Sequence, residues 1–494
     1  MFRLPAASYG ATDDQSRTAL KKLGDFMTSD LDAPKDGPDG EESGIPALYT
    51  YFGQFIDHDL TFDPVSILTR RSDPNALTNF RTPAFDLDNM YGHGPHDQPY
   101  LYKNGTSFLL GDLLDNGAPD LLRNNDIPAR AIIGDPRNDE NSIISQFQAL
   151  MLRFHNRVVD DNPGLDFASI QRIVCWHYQW VVINDFLPRI ITQSVLDALK
   201  TNGRYDKRRI QFYKFQDKPF LPIEFSVAAY RLGHSMIRSG YRLNDIDTSL
   251  LPIFPVSATV SPPNGLPVGL TGFQAMAKDR GIDWGRFIDV GSPRAYGRDP
   301  DEPNPPVADN KRRLQLAYRL DTSLVEPLSN LPESVAADPP PSLAQRNLIR
   351  GFDLHLPNGQ SVAKAMHVTP LKDSEIIIGK AVDEAGPGDV RGSIADIPEL
   401  APFRNNCPLW TYILAEAMQH RKLDVVVPVL PEGTQVSTPQ LGPVGGRIVA
   451  EVFLGLLFAD QSSYISCDPH WIPTIGSAKT NFALRDIVAY ALGL

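Results

Sequence analysis

Between Tyr51 and Phe62 the chain reads YFGQFIDHDLTF, with one histidine and two aspartates set inside a run of large apolar side chains. The run begins just after Pro46. Tyr51, Gln54/Phe55, His58 and Phe62 fall on neighbouring turns, so the spacing predicts a helix over Pro46–Phe62. Gln54 and His58 then share one face, flanked by Asp57 and Asp59. Burying two carboxylates and an imidazole costs several kcal/mol unless they find partners. A core that accepts this helix must supply either those partners or a bound group.

The same 3.6-residue period predicts helices over Asn141–Val159, over Leu165–Asn202 with a break near Pro188, and over Phe225–Arg238, Leu409–Met418 and Gly446–Phe458. Strand alternation is sparse; Ile210–Phe215 and Ser374–Ile378 are short candidates. Pro and Gly bunch into long connections at Asp30–Pro46, Leu251–Pro267, Ser292–Pro306, Ser329–Pro341 and Pro428–Pro443. No internal repeat is visible. The pattern describes one mainly α domain with long loops and few short strands.

Composition narrows the function. The 494 residues carry 47 Lys+Arg against 59 Asp+Glu, a net charge of -12, without basic runs. Nucleic-acid binding and docking on anionic lipid both need clustered positive charge, so neither partner is expected. Three scattered cysteines, Cys175, Cys407 and Cys467, suit buried thiols better than a disulfide framework or a zinc site. The most apolar stretch, Ile448–Ala459, is too short to cross a bilayer, so no transmembrane span is expected. MFRLPAASYGATDDQ lacks the apolar core of a secretory signal; taken at face value the protein is cytoplasmic, with an unconventional export route left open.

Three further segments carry chemistry. In RTPAFDLDNMYG, Thr82, Ala84, Asp86 and Asp88 alternate, so their oxygens can point one way in an extended loop, as a hard cation such as calcium prefers. A solvated acidic turn has the same spelling. GDPRNDEN (Gly134–Asn141) precedes a strongly periodic helix and reads as ordinary helix-start chemistry. In FSVAAYRLGHSMIR, His234 lies in an apolar stripe with Gly233 beside it, where a flat ligand could approach the backbone. A satisfied core histidine and a metal or haem ligand are both open.

Taken together and in this order, these segments resemble the animal-type haem peroxidases of the peroxidase–cyclooxygenase superfamily. GQFIDHD is similar to the distal-helix motif, TPAFDLDNMYG to the calcium loop, and DPRNDEN with LMLRFHNR to the catalytic-arginine segment. YRLGHSMI is similar to the proximal helix, NLIRGFD (Asn347–Asp353) to its supporting segment, and GPVGGRIVAEVFLGLL to the late structural helix. The likeness runs from about Tyr51 to Tyr464. It implies a helical catalytic domain over 46–494 around a buried haem b, preceded by an extension over 1–45.

The resemblance also implies roles. His58 is the distal base, Arg137 its charged partner, and Gln54 the residue beside the halide and water site. His234 is the iron ligand and Asn347 the acceptor of its imidazole N–H. Arg231 and Arg350 meet the haem propionates, and Asp57 and Glu140 form ester bonds to haem methyl groups. Asp59, Thr82, Ala84 (through its carbonyl), Asp86 and Asp88 hold calcium. The implied substrates are hydrogen peroxide and a small donor: a phenol, a halide or thiocyanate. Neutral imidazole can take and return a proton near neutral pH, and a fixed guanidinium can stabilise developing negative charge. An amide acceptor leaves the iron ligand a weaker electron donor than a carboxylate would.

The departures matter as much. Asn141 stands where some relatives have a methionine that forms a third haem link, which excludes that link here. Asp88 replaces a serine, and Pro428–Pro443 looks like an insertion. The dioxygenase branch carries a radical-forming tyrosine three residues before the proximal histidine; here that residue is Arg231, and Tyr230 is four before. A haem fatty-acid dioxygenase is therefore the alternative enzyme, and a non-catalytic binding module the alternative outside catalysis.

Overall fold

The computed structural model describes residues 1–36, 39–61, 83–215, 218–255, 269–290, 311–380, 391–425 and 435–494. Phe62, Thr82 and residues 428–434 of the Pro428–Pro443 connection lie outside them. The described residues are mainly α. The helices of nine residues or more are α1 (Asp13–Phe26), α2 (Leu48–Leu60), α3 (Ser142–Asp161), α4 (Phe167–Val181), α5 (Leu343–Asp353), α6 (Leu409–Ala417), α7 (Gly445–Ala459) and α8 (Leu484–Leu492). Among the described residues no helix is long and apolar enough to cross a membrane.

Helix α2 is enclosed over most of its surface because large apolar side chains occupy all but one stripe of it. Phe52 meets the rings of Phe147, Tyr178 and Phe186 edge-on, with centroids 5.6–6.0 Å apart. Phe55 meets Phe147 at 5.2 Å. Edge-to-face packing of this kind adds to the burial of each ring, and truncating such a phenylalanine costs about 3–5 kcal/mol. These contacts bolt α2 to α3 and α4. Asn141 ends the loop before α3 as its N-cap, its Oδ1 accepting from Ile143 and Ile144 N–H at 3.1 and 3.0 Å. Buried Glu416 does the same for α7, accepting from Val444 and Gly445 N–H. Burial pushes that carboxyl up to about 7 against the pull of those N–H groups.

Strands are few and short. β1 (Glu42–Pro46) pairs antiparallel with β2 (Leu316–Tyr318). β3 (Arg421–Val425) pairs with β4 (Gln435–Pro439) in register Arg421↔Pro439, and Gly44 N–H donates to Thr438 Oγ1 at 2.8 Å, joining the two ribbons. β4 falls inside the connection expected at Pro428–Pro443. Ile210–Phe215 is not a strand: the N–H groups of Gln211, Phe212 and Tyr213 all donate to the carboxylate of Glu451 on α7 instead of to a ladder. Of Ser374–Ile378, only Ile377–Ile378 pairs, with Gly392–Ser393.

The largest difference from expectation is Phe225–Arg238. In place of a regular α-helix, Glu224–Ala228 is wound wide as a π turn and Ala229–His234 tight as a 3-10 helix, with the break at Ala228 (φ -128, ψ -73). Both windings place apolar residues every three to five positions, so the sequence pattern reads as α either way. Residues three apart eclipse in a 3-10 helix. Arg231, not Tyr230, therefore stands over His234.

Candidate functional site

Two walls bring the expected residues together. The first is the C-terminal half of α2 with the segment Asp135–Asn141. His58 is 5 % exposed, and its Nδ1 lies 2.7 Å from Oδ1 of Asn138. Burial, then the neighbouring Arg137 charge, hold its imidazole down to about 4, against the opposing pull of Asp135, Asp57 and Asn138. It is neutral at any ordinary pH. Gln54, one turn earlier, donates through Nε2 to the carboxylate of Glu140. Burial raises Glu140 to about 7, although Arg137 and Gln54 both favour its charged form.

Arg137 is placed by its neighbours more firmly than the sequence suggests. Its guanidinium donates to Asp135, which is fully buried, to Thr61 Oγ1 at 3.1 Å, and to the carbonyls of His58 and Thr61. Those carbonyls are orphans of the α2 C-terminus, where a cation is favoured. Arg137 thus ties the histidine's helix to the segment that carries Glu140. A strap over Leu270–Phe273 lies on the far side of that segment: Gly272 N–H donates to Glu140 O at 2.9 Å. A Cβ at Gly272 would sit 1.9 Å from Asp139 O, so only glycine allows this approach.

The second wall is the π and 3-10 segment. The amide of Asn347, on α5, lies 2.7 Å from Nδ1 of His234. An amide nitrogen and oxygen exchange places without moving heavy atoms; with the carbonyl turned to accept from Nδ1–H, Nε2 of His234 keeps a lone pair for a metal. Burial, then Arg231, push His234 down to about 3. Arg231 donates from Nε to Ser226 O at 2.9 Å, and Trp410 Nε1 donates to the Arg231 carbonyl at 3.3 Å. Arg350 lies on α5 three residues after Asn347 and is half-buried. Tyr230 Oη donates to Gly53 O at 3.2 Å, joining this wall directly to α2.

Both walls carry half-buried residues among buried ones. Along α2, Gly53, Gln54 and Asp57 are half-buried while Tyr51, Phe52, Phe55, Ile56 and Asp59 are buried, so one stripe of an otherwise enclosed helix is accessible. Arg231, Gly233 and His234 are half-buried on the other wall, and a Cβ at Gly233 would meet no atom within 4 Å. Space therefore lies beside the imidazole.

The expected calcium ligands are gathered less completely. Ala84, Asp86 and Asp88 are half-buried and alternate with buried Phe85 and Leu87. Burial, then the carboxylates of Asp86, Asp59, Asp460 and Asp88, hold the Cys175 thiol well above its ordinary range. Asp59, Asp86 and Asp88 are thus all near enough to the Cys175 thiol to act on it, and the thiol itself lies 3.4 Å from the Asp86 carbonyl. Among the described residues no three His, Cys, Asp or Glu side chains close into a metal-ligand set, and Thr82 lies outside them.

Asn138 and Gln148 escaped the sequence reading. The signal available was the DPRNDEN segment, in which Asn138 follows the arginine directly.

The profile of the animal haem peroxidase family matches residues 67–266. A "Peroxidase-like protein" of Margaritifera margaritifera is 25 % identical over 250 residues, 38 % of this chain and 31 % of that protein. A "Chorion peroxidase" of Drosophila melanogaster is 30 % identical over 118 residues, 22 % of this chain and 14 % of its own length. The matched stretches thus span less than a third of these relatives. Peroxidase A of Dictyostelium discoideum superposes with TM-score 0.54 at 15 % identity, over 93 % of this chain and 88 % of that one. A fatty acid alpha-dioxygenase of Arabidopsis thaliana superposes with TM-score 0.51 at 13 % identity, over 99 % and 74 %. At these identities the two superpositions speak to the fold alone.

Proposed function

We propose that this chain, of the animal haem peroxidase family by its profile match and its peroxidase relatives, is a haem-dependent peroxidase that reduces hydrogen peroxide and oxidises a small donor, a phenol or a halide. The observation that carries the reading is the pair of amide-held imidazoles: His58 on Asn138 and His234 on Asn347, each through Nδ1 at 2.7 Å, on walls joined by Tyr230 and Gly53.

When bound, haem supplies the iron at which peroxide is reduced. His234 would hold that iron through Nε2, with Asn347 accepting from Nδ1–H. Nε2 of His58 takes the proton from the near oxygen of peroxide and returns it to the far one; a neutral imidazole is competent for both. Arg137 contributes a fixed positive charge at the foot of α2. Gln54 orients Glu140, and Asp57 and Glu140 are the carboxyls available for ester links. Arg231 and Arg350 are the cations for the propionates. Calcium, held by Asp59, Ala84, Asp86 and Asp88 with Thr82, would neutralise the carboxylates around Cys175 and fix the residue next to His58. Chelation should then lower both melting temperature and peroxidase rate.

The test is spectroscopic and kinetic. Chain expressed with porphyrin supply should show a Soret band and oxidise a phenolic dye with peroxide without consuming oxygen. Oxygen uptake on an unsaturated fatty acid without peroxide would favour the dioxygenase reading. Absence of any haem band would leave a binding module.

A further inference from the structure

His58 has two nitrogens, and only one arrangement of the core leaves the outward one basic. Asn138 (0 % exposed) lies between His58 and Gln148 (0 % exposed): its Oδ1 faces His58 Nδ1 at 2.7 Å and its Nδ2 donates to Gln148 Oε1 at 2.9 Å. Beyond that bond, Gln148 Nε2 is buried with no hydrogen-bond partner among the described residues. The three groups form a chain, open at Gln148 Nε2, in which each link between neighbours must set a donor against an acceptor.

Two assignments satisfy it. In one, Nδ1–H of His58 donates to Asn138, Asn138 donates to Gln148, and Nε2 of His58 carries a lone pair. In the other, both amides are reversed, Asn138 donates to Nδ1, and Nε2 carries the proton. The second leaves no base facing the pocket. It also cannot accommodate an imidazolium, whose two N–H groups both donate. The first serves the neutral ring and the imidazolium alike, so the proton can arrive and leave with no amide turning over in a packed core.

We propose that Asn138 and Gln148 are positioning residues that lock His58 in the Nδ1–H tautomer, keeping Nε2 free to take a proton from a peroxide-class substrate. The role assigned to His58 rests on the peroxidase reading; the tautomer does not.

The test uses the 494-residue chain labelled with 15N-histidine, in the diamagnetic ferrous carbonyl state or, should it take up no haem, as purified. The His58 signals are assigned by their absence from His58→Gln. Wild type should show Nδ1 protonated and Nε2 bare. Asn138→Leu should lose that signature and slow the reaction with peroxide ten- to a hundredfold. Asn138→Asp, which can only accept, should keep the signature and restore most of the rate, showing that Asn138 does more than fill space. Gln148→Leu should give a weaker version of the Asn138→Leu effect. The proposal is overturned if wild type carries the proton on Nε2, if Asn138→Asp converts the tautomer, or if Asn138→Leu changes neither tautomer nor rate. A chain without haem or peroxide chemistry sinks the peroxidase reading, and the tautomer result still decides this inference.

Discussion

The two walls hold their histidines by opposite means. His58 sits on a regular α-helix, 5 % exposed, with its amide partner in a buried chain and Arg137 closing the helix end. His234 sits where a π turn gives way to 3-10 winding, half-buried, beside a glycine that leaves space open. A proton-transferring base needs its orientation fixed and little room. A metal ligand needs an open approach on one side, and irregular winding aims it without a long helix crowding the site. The difference predicts which histidine binds and which reacts.

The sharpest way to break that contrast is to remove each ring. His234→Ala should abolish haem retention, read as loss of the Soret band. His58→Ala should keep the band and lose peroxide reactivity by roughly 10²–10⁴-fold, the range for a positioned acid–base group. The opposite pattern would exchange the walls. Arg137→Ala comes next: a charge-stabilising role predicts about 10²–10³-fold slower reaction with peroxide. Because its bonds tie the end of α2 to Asp135, the melting temperature should fall too. A stability loss with an unchanged rate would make Arg137 a cap and nothing more.

The first wall was far more legible in the sequence than the second, for a physical reason. α2 and α3 carry an unbroken 3.6-residue period and a cap residue, Asn141, so their span and their inward faces follow from spacing alone. The proximal segment has the same residue types, yet its winding depends on tertiary contacts such as Trp410 on the Arg231 carbonyl and Tyr230 on Gly53. No local pattern encodes those. Asn138 was illegible similarly: its partners are 80 residues before and 10 after it. The alternation in Ile210–Phe215 misled because a distant carboxylate, Glu451, satisfies its backbone.

A smaller test concerns the frame behind the first wall. His155 and His177 are buried and neutral, each lowered from 6.5 to about 4, with burial as the main cause. His155 lies between Tyr91 Oη and Thr106 O. His177 donates to Ile173 O, and its other nitrogen accepts from Thr474 and Ile475 N–H. Because these folded values are depressed, the unfolded chain binds more protons below pH 6.5, and stability falls as pH drops toward 4 and levels below it. Each ring contributes on the order of 3 kcal/mol at the acid limit. Denaturant unfolding from pH 7 to 4 should show the decline, and His177→Gln should flatten part of it. An unchanged slope in that variant would place the acid sensitivity elsewhere.

The smallest expected effect probes the seam between the walls. Tyr230 stacks on Phe225 at 4.9 Å with planes 13° apart and packs on Phe453 at 5.2 Å, so its ring is held whether or not the hydroxyl is present. Tyr230→Phe removes the bond to Gly53 O, a carbonyl that can still accept from within α2, and should cost about 1 kcal/mol. The two walls should therefore stay together, with the Soret band kept and the peroxidase rate within a few-fold of wild type. The 3-10 winding, which sets Arg231 rather than Tyr230 over His234, underlies that expectation. Were the phenol the hydrogen-abstracting group of a dioxygenase, the same single-oxygen deletion would abolish oxygen uptake on a fatty acid while sparing peroxide reduction. A variant that separates those two activities would overturn the assignment of Tyr230 to the seam and move it into the chemistry.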